Sequence, residues 1–318
     1  SEQLVREYVQ AGFRKIHLDA SMRLADDDSN LPLDIEISAR RAARLAKVCE
    51  ESHAKMAGTS APRYVIGSEV PVPGGAREHE EPVSVTTVEA VRQTIQVTHA
   101  AFVAEGLEAA WERVLACVVQ PGVEFGDDFV LDYQPEKAAA LSKFMESESH
   151  IVFEAHSTDY QTRDNLRNLV HDHFSILKVG PGLTFAFREA AFALAMIESE
   201  LVDQDERSNL ITLMDEIMKL DPRYWQKYYS GSLEAQAFKR KYSLSDRIRY
   251  YWATHQAEDA LKRMMVNLSR SPIPLSLLSQ WLPVQHRKIR SGELENSPQE
   301  IIRDKIDEIL GNYQQACG

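Results

Sequence analysis

The stretch FEAHSTDYQT, residues 153–162, has the order of residue types that leads from a buried strand into a polar pocket. An apolar pair, an acid and a small residue come first, and His156, Ser157 and Asp159 follow. An imidazole beside a carboxylate at a strand end suits a zinc ligand or a general base. We therefore take His156 as the central candidate for chemistry, with Ser157 and Asp159 beside it.

A catalytic zinc site needs a second good ligand in addition to His156. His17 lies in the run KIHLDAS, and strand alternation puts it on the same side as Asp19, where it can point inward. We place His17 inside its strand, however, and find no imidazole at the end of another strand. The sequence thus predicts a pocket around His156 with no expected cofactor, in which any zinc site is weak.

The turn KVGPG, residues 178–182, precedes a helix that opens LTFAFREA. Backbone N–H groups at Gly180 and Gly182 can converge on an anion, and the helix N-terminus adds positive potential. With Lys178 adjacent, these features indicate a phosphate site. The same residues also suit a tight strand–helix turn that needs Gly and Pro for its geometry alone, and both interpretations stay open.

Composition and charge restrict the kind of partner. The 318 residues carry 48 acidic and 36 basic side chains, and the formal net charge of −12 disfavours nucleic acid or an anionic membrane as the main partner. No apolar run approaches the roughly 18–20 residues of a membrane span. The three cysteines are far apart and form no CxxC pair. We therefore expect a cytoplasmic protein without a disulfide framework or membrane insertion.

Short apolar runs alternate with longer amphipathic segments in the first part of the chain. The predicted strands lie in the runs 15–21, 64–70, 113–120, 150–156 and 175–182. The predicted helices span 34–56, 87–106, 135–147, 162–172 and 183–201. This alternation indicates parallel strands joined by right-handed crossovers.

After about residue 203 the strands stop and helices punctuated by prolines follow. We predict helices at 205–219, 233–241, 256–268, 274–290 and 298–315. We interpret the stretch KRKYSLSDRIRYYW, residues 239–252, as a helix that buries its aromatic side while Arg247 and Arg249 meet acids or a phosphate. The chain thus divides into an α/β body, 1–202, and a helical C-terminal extension, 203–318.

Polar residues at the strand ends decide between an open sheet and a barrel. Every predicted strand ends in such residues, among them Asp19, Glu69, Gln120, His156 and Lys178. An open sheet concentrates ligand contacts at one crevice, whereas a barrel brings all strand ends to one mouth. We therefore predict an α/β protein of the TIM (βα)₈ barrel type, of which this chain covers five strands. Three further units of roughly 30 residues each would place about 100 residues upstream.

Several long motifs carry a resemblance to one family. They are AGFRKIHLDASM, YVIGSEVPVPGG, VVQPGVEF, FEAHSTDYQTRDNLRNLVHDHFSILKVGPGLTFAFREAAFALA, YSLSDRIRYYW and IPLSLLSQWLP. The chain resembles, from end to end, the non-catalytic Z-type (GatZ/KbaZ) subunits of class II D-tagatose-1,6-bisphosphate aldolase. The resemblance implies a TIM barrel related to the catalytic class II aldolases, with the first three strands in a segment before this chain.

The resemblance also implies roles for single residues. In the catalytic relatives, three histidines bind zinc and glycine-rich turns hold the substrate phosphate. His156 resembles the histidine that ends the seventh strand, and Gln120 takes the place of the one that ends the sixth. Asp19 and Glu69 resemble inward carboxylates of the fourth and fifth strands, and the turn at 178–182 resembles the phosphate-side turn of the eighth. Because an amide is a poor zinc ligand, the resemblance implies a degenerate metal site.

The function implied by the resemblance is that of an accessory, chaperone-like subunit. Its partner is a zinc-bearing Y-type subunit, which it stabilises and fully activates in galactitol or amino-sugar catabolism. One alternative is an active sugar-phosphate enzyme. It would be either an aldolase or a tagatose-6-phosphate kinase, the label that some family members carry. The sequence has no Walker motif and no kinase-loop motif to support a kinase. Another is a regulatory subunit that senses a sugar phosphate in the pocket.

Overall fold

A parallel sheet lies at the centre of the computed structural model, which describes residues 1–25, 27, 33–56, 58–67, 83–147 and 150–318. The strands are β1 (Lys15–His17), β2 (Arg63–Ile66), β3 (Val114–Val119), β4 (Glu124–Phe125), β5 (Val130–Leu131), β6 (Val152–Ala155) and β7 (Ile176–Leu177). Five of them pair in parallel in the order β1-β2-β3-β6-β7, and β4 and β5 form a separate antiparallel pair. Each strand of the parallel sheet overlaps one of the five predicted apolar runs, and only β2, which begins at Arg63, extends beyond its run.

Helices connect the strands and cover the outer face of the sheet. In this part of the chain they are α1 (Glu2–Gln10), α2 (Ile35–His53), α3 (Val88–Ala104), α4 (Glu108–Trp111), α5 (Pro135–Met145), α6 (Arg163–His171) and α7 (Pro181–Leu201). Three of them begin with a side-chain cap, in which Asp34, Thr87 or Thr162 accepts a hydrogen bond from a backbone N–H of the first turn. Such caps satisfy N–H groups that have no partner within the helix, so the sequence fixes these helix starts locally.

The two faces of the sheet differ in what they pack against. Ile16, Tyr64 and Phe153 point outward into a large apolar core shared with the helices. Val65, Ala116 and Val118 form a smaller cluster on the inner face. The inner face is concave, as a contact between its two edges shows. Lys178 follows one edge strand, β7, and its Nζ lies 3.3 Å from Nδ1 of His17 in the other edge strand, β1.

The parallel α/β architecture predicted from the sequence is confirmed, in the form of a curled, five-stranded half-barrel. One close approach depends on glycine. Gly67, which follows β2, has a φ of +146°, and a Cβ atom there would lie 2.8 Å from Cβ of Val118. No other residue fits this conformation and this space, so Gly67 permits the tight packing of β2 on β3.

The second part of the chain is helical, as predicted. Its helices are α8 (Leu210–Leu220), α9 (Leu233–Tyr242), α10 (His255–Leu268), α11 (Leu275–Trp281), α12 (Pro283–Ser291) and α13 (Pro298–Cys317). The prediction of one helix over 274–290 is wrong, because Pro283 cannot donate to the preceding turn and therefore starts a new helix. The prediction of a helix from 205 is also corrected, since α8 starts at Leu210 after a short 3₁₀ turn.

The C-terminal helices pack around α7 and form an apolar core of their own, which includes Leu194, Met214, Tyr251 and Ile301. The last helix, α13, returns to the barrel and lies against α6 and α7. Among the described residues, we find no helix with the length and apolar character required to cross a membrane.

Candidate functional site

A buried carboxylate, Glu154, organises the concave face of the sheet. It lies in β6 with its side chain fully buried. His156 places Nε2 2.9 Å from Glu154 Oε1, and Lys15 of β1 places its ammonium 2.5 Å from Oε2. The ammonium of Lys178 lies 3.6 Å from Oε1. One carboxylate therefore meets one imidazole and two cations at the mouth of the half-barrel.

His17 also belongs to this cluster, which corrects the prediction that no second imidazole ends a strand. It is the last residue of β1, its Nδ1 lies 3.8 Å from Glu154 Oε1, and its ring is 5.3 Å from that of His156. The strand is shorter than its apolar run suggests. Its last ladder pair joins His17 to Val65, so His17 stands at the strand end.

Burial and charge set the protonation states in the cluster. Burial alone would raise the pKa of Glu154, but the hydrogen bonds from His156 and Lys15 and the charges of Lys15 and Lys178 lower it to about 2. Burial, followed by the charge of Lys178, lowers the pKa of His17 to about 4. At neutral pH, Glu154 is thus ionised and His17 is neutral, with Nδ1 as the acceptor that faces Lys178.

The donor set of the cluster matches zinc in type. Ligand atoms of His17, Glu154 and His156 all lie within 4.8 Å of one another, and two imidazoles with one carboxylate form a known zinc set. The surrounding charge opposes a cation, however, because the ammonium groups of Lys15 and Lys178 already neutralise the carboxylate. The arrangement suits an internal ion cluster better than a resident divalent metal.

The glycine turn before α7 binds the side-chain carboxyl group of Asp159. Asp159 Oδ1 accepts hydrogen bonds from the backbone N–H groups of Gly180 and Gly182, both at 2.8 Å. Burial raises the pKa of Asp159, and these two N–H groups offset part of the rise. The N–H groups predicted to converge on an anion do so, but a buried carboxylate occupies the place where a phosphate was expected.

The loop after β6 is tied to the C-terminal helices. Thr158 Oγ1 donates to the carbonyl of Lys178 at 2.6 Å, and the Tyr313 hydroxyl of α13 donates to the carbonyl of Thr158 at 2.8 Å. Tyr160 donates to the carbonyl of Leu244 at 2.5 Å. The loop thus has fixed partners on both sides, which explains how it tolerates left-handed backbone at Ser157, φ 52°, and at Tyr160, φ 65°.

Gln120 follows β3, as predicted, but its side chain folds back on its own turn. Its Oε1 accepts hydrogen bonds from the N–H groups of Gly122, at 2.8 Å, and Val123, at 3.0 Å. Its backbone N–H donates to Thr86 Oγ1 at 2.8 Å. The side-chain oxygen that would face a metal is therefore used to close the turn.

The remaining predicted site residues lie outside the cluster. Asp19 is exposed and accepts hydrogen bonds from the backbone and hydroxyl of Ser21. Glu69 lies outside the described residues. Arg247 stacks on the ring of Tyr228 and donates to the carbonyl of Tyr224, and Arg249 donates to main-chain carbonyls. Burial raises the pKa of Asp246 and Asp159, and the charge of Arg249 offsets part of the rise. That Arg247 and Arg249 meet acids or a phosphate stays a prediction. They lie in a 3₁₀ turn, Arg247–Tyr251, rather than in the predicted helix.

Comparison with known proteins identifies the family. The family model for the D-tagatose-1,6-bisphosphate aldolase subunit GatZ/KbaZ-like matches residues 1–318. The chain belongs to this family. A solved structure from Sinorhizobium meliloti 1021, described as that of "a probable tagatose 6 phosphate kinase", is 41% identical, with a TM-score of 0.89. The match covers 99% of this chain and 76% of that chain, and the resemblance seen in the sequence is confirmed.

Three residues of this GatZ/KbaZ-like site were missed by sequence reasoning: Glu154, Lys15 and Tyr313. A signal for the first two was present, because alternation puts Glu154 on the same strand face as His156, and Lys15 on the same face as His17. For Tyr313 there was none. Its contact with Thr158 joins residues 155 positions apart, and no local pattern encodes such a pair.

Proposed function

We propose that this protein is an accessory subunit of tagatose-bisphosphate aldolase, which stabilises and activates a zinc-bearing Y-type subunit without performing the cleavage itself. The family to which it belongs is one of subunits of this aldolase. The observation that carries the proposal is that the polar groups of the barrel mouth bind one another. Lys15 and Lys178 neutralise Glu154, Asp159 fills the glycine turn, and Gln120 closes its own turn.

Class II aldolase chemistry needs groups that are open to the substrate. A Lewis acid must stabilise the developing enediolate, and an anion site must hold a phosphate. A catalytic metal site keeps at least one coordination position open. In the cluster around Glu154, ammonium groups stand where a cation would approach, and the anion site after β7 holds Asp159. These contacts favour a structural role for the mouth over turnover.

The rest of the proposal follows the family. We propose a complete class II aldolase-type barrel in which β1, β2, β3, β6 and β7 are strands four to eight, with 203–318 as a packed extension. We place the Y-type partner against that extension, and the complex in the cytoplasm, in galactitol or amino-sugar catabolism. A closed barrel has little other use for so many added helices. Binding only the folded form of the partner would raise its stability by mass action.

The kinase description of the S. meliloti protein is the main alternative. A kinase must cradle the phosphates of a nucleotide, and the 318 residues contain no GxxxxGK[ST] segment. A sensor of sugar phosphate is the other alternative, and it would need the anion site that Asp159 fills. We therefore favour the accessory role over both.

The test is a cleavage assay on tagatose-1,6-bisphosphate with the full-length protein alone, the Y-type subunit alone, and both together, with bound zinc measured in each. The proposal expects no cleavage by this protein alone and a higher rate and longer activity half-life of the Y-type subunit in its presence. Cleavage by this protein alone, with stoichiometric zinc, would refute the proposal. Phosphorylation of tagatose 6-phosphate would instead support the kinase.

A further inference from the structure

A cleft of about 590 Å³ lies between α7 and the C-terminal helices. Its walls are mainly apolar and include Phe192 and Met196 of α7, Ile211 of α8 and Trp281 of α11. The volume is within the range of small-molecule sites, which are usually apolar with a few placed polar groups.

One charged side chain, Arg188, lines the cleft from the side of α7. Its residue is only 3% exposed, and its guanidinium lies over the ring of Phe185, with 4.0 Å to the centroid, and near the rings of Phe192 and Tyr242. Within the described ranges, its Nε has no hydrogen-bond partner. A buried guanidinium without good hydrogen bonds is costly unless an anion completes it.

Asp246 forms an ion pair with Arg188, but through one long contact. Asp246 Oδ1 lies 3.5 Å from Arg188 Nε, beyond a good hydrogen bond, and is itself unsatisfied among the described residues. The other oxygen of Asp246 accepts from the Thr184 hydroxyl at 2.6 Å. Burial raises the pKa of Asp246, and the Thr184 hydroxyl and the charges of Arg188 and Arg249 offset part of the rise. The acidic Glu189 at the cleft is paired with Lys305, at 3.4 Å.

We propose that the cleft between α7 and α11 binds a small organic carboxylate with an apolar body, the carboxylate on Arg188 and the body among Phe192, Met196 and Trp281. Guanidinium and carboxylate match as a planar, two-point pair, and the aromatic rings around Arg188 keep it in place. The apolar walls select a ligand with a hydrocarbon or aromatic body over a sugar phosphate. This proposal is independent of the accessory function.

The probes are 4-phenylbutyrate and its neutral analogue 4-phenyl-1-butanol, titrated by calorimetry and by tryptophan fluorescence in the full-length protein. The proposal expects one site per chain and binding of the acid at least tenfold tighter than that of the alcohol. Equal affinity for the two, or no binding of the acid, would overturn it. The aldolase assay does not enter this test, so the two proposals fail separately.

Two variants locate the site. Arg188→Met keeps the length and apolar packing of the side chain, and it is expected to remove the preference for the acid. Ala193→Phe adds a large side chain to the cleft from α7 and leaves Arg188 in the sequence, and it is expected to weaken both probes at least tenfold. Val266→Phe, on the exposed face of α10, is the control and should bind both as the wild type does. If Ala193→Phe binds the acid as tightly as the wild type does, the acid binds outside the cleft and the proposal is wrong.

Discussion

At the scale of the residue, Glu154 is the group on which the barrel mouth depends. A buried carboxylate is tolerated only when cations and hydrogen bonds compensate for the loss of water. Here Lys15, Lys178 and His156 supply them. The same contacts that allow Glu154 to be ionised also occupy both of its oxygens.

Replacing Glu154 with Gln keeps the shape and removes the charge. Two ammonium groups then lack their counter-ion in a partly buried site, and we expect a loss of about 3 kcal/mol in the free energy of unfolding. Urea unfolding measures it. Glu200→Gln, at an exposed position of α7, is the control and should stay within about 0.5 kcal/mol of wild type. Equal stability of Glu154→Gln and wild type would show that the charge of Glu154 contributes nothing to the free energy of unfolding.

His17 gives the cluster a defined dependence on pH. Its pKa is lowered from 6.5 to about 4 in the folded protein, so between these values the unfolded chain binds more protons and stability falls as pH falls. From pH 7 to pH 5 this amounts to about 2 kcal/mol for one such group. Urea unfolding at the two pH values should show a smaller loss in His17→Gln than in wild type.

The control for this experiment is His171→Gln, which removes an imidazole whose side chain is 86% exposed. It should lose as much stability as wild type between pH 7 and pH 5. If His17→Gln also behaves like wild type, His17 is not a buried neutral imidazole.

At the scale of the element, the glycine turn before α7 shows how a functional motif can be used for structure. The N–H groups of Gly180 and Gly182 and the start of a 21-residue helix form a good anion site. The loop after β6 fills this site with Asp159. The turn therefore joins two neighbouring βα units.

Removing Asp159 should open the site. We expect Asp159→Ala to lose roughly 1–3 kcal/mol of stability, because the N–H groups of Gly180 and Gly182, the second of which is buried, lose their acceptor. Added inorganic phosphate should then raise the urea midpoint of Asp159→Ala and leave that of wild type unchanged once ionic strength is matched with chloride. An equal rise in both proteins would mean that phosphate binds elsewhere or that Asp159 does not block it.

The elements were more predictable than their contacts. The apolar runs located all five parallel strands because a strand buried on both faces must be apolar throughout. The short antiparallel pair β4–β5 was not predicted, because strands of two residues are too short to show an apolar run or an alternation. The sequence predicted His156 and Lys178 as site residues but not their contacts with Glu154. Those contacts depend on how far the sheet curls and brings Lys178 to His17. Sequence alternation gives the face of a strand but not that curvature.

At the scale of the whole molecule, hydrogen bonds and an ion pair connect the C-terminal helices to the loops of the half-barrel. The Tyr313 hydroxyl of α13 donates to the carbonyl of Thr158, and Tyr160 donates to the carbonyl of Leu244. Lys239 of α9 pairs with Asp127, in the loop between β4 and β5, at 2.8 Å. A partner that binds the helical extension would thus act on a surface rigidly connected to the barrel mouth.

The most direct measurement of the accessory role is the activity half-life of the Y-type subunit with a His156→Gln variant of this protein. The variant removes an imidazole that a zinc site in this protein would require, and complex formation is checked by size-exclusion chromatography. If the protein acts by binding and stabilising its partner, the variant will extend the half-life as wild type does. If the complex forms and the extension is lost, His156 takes part in the chemistry and the account is wrong.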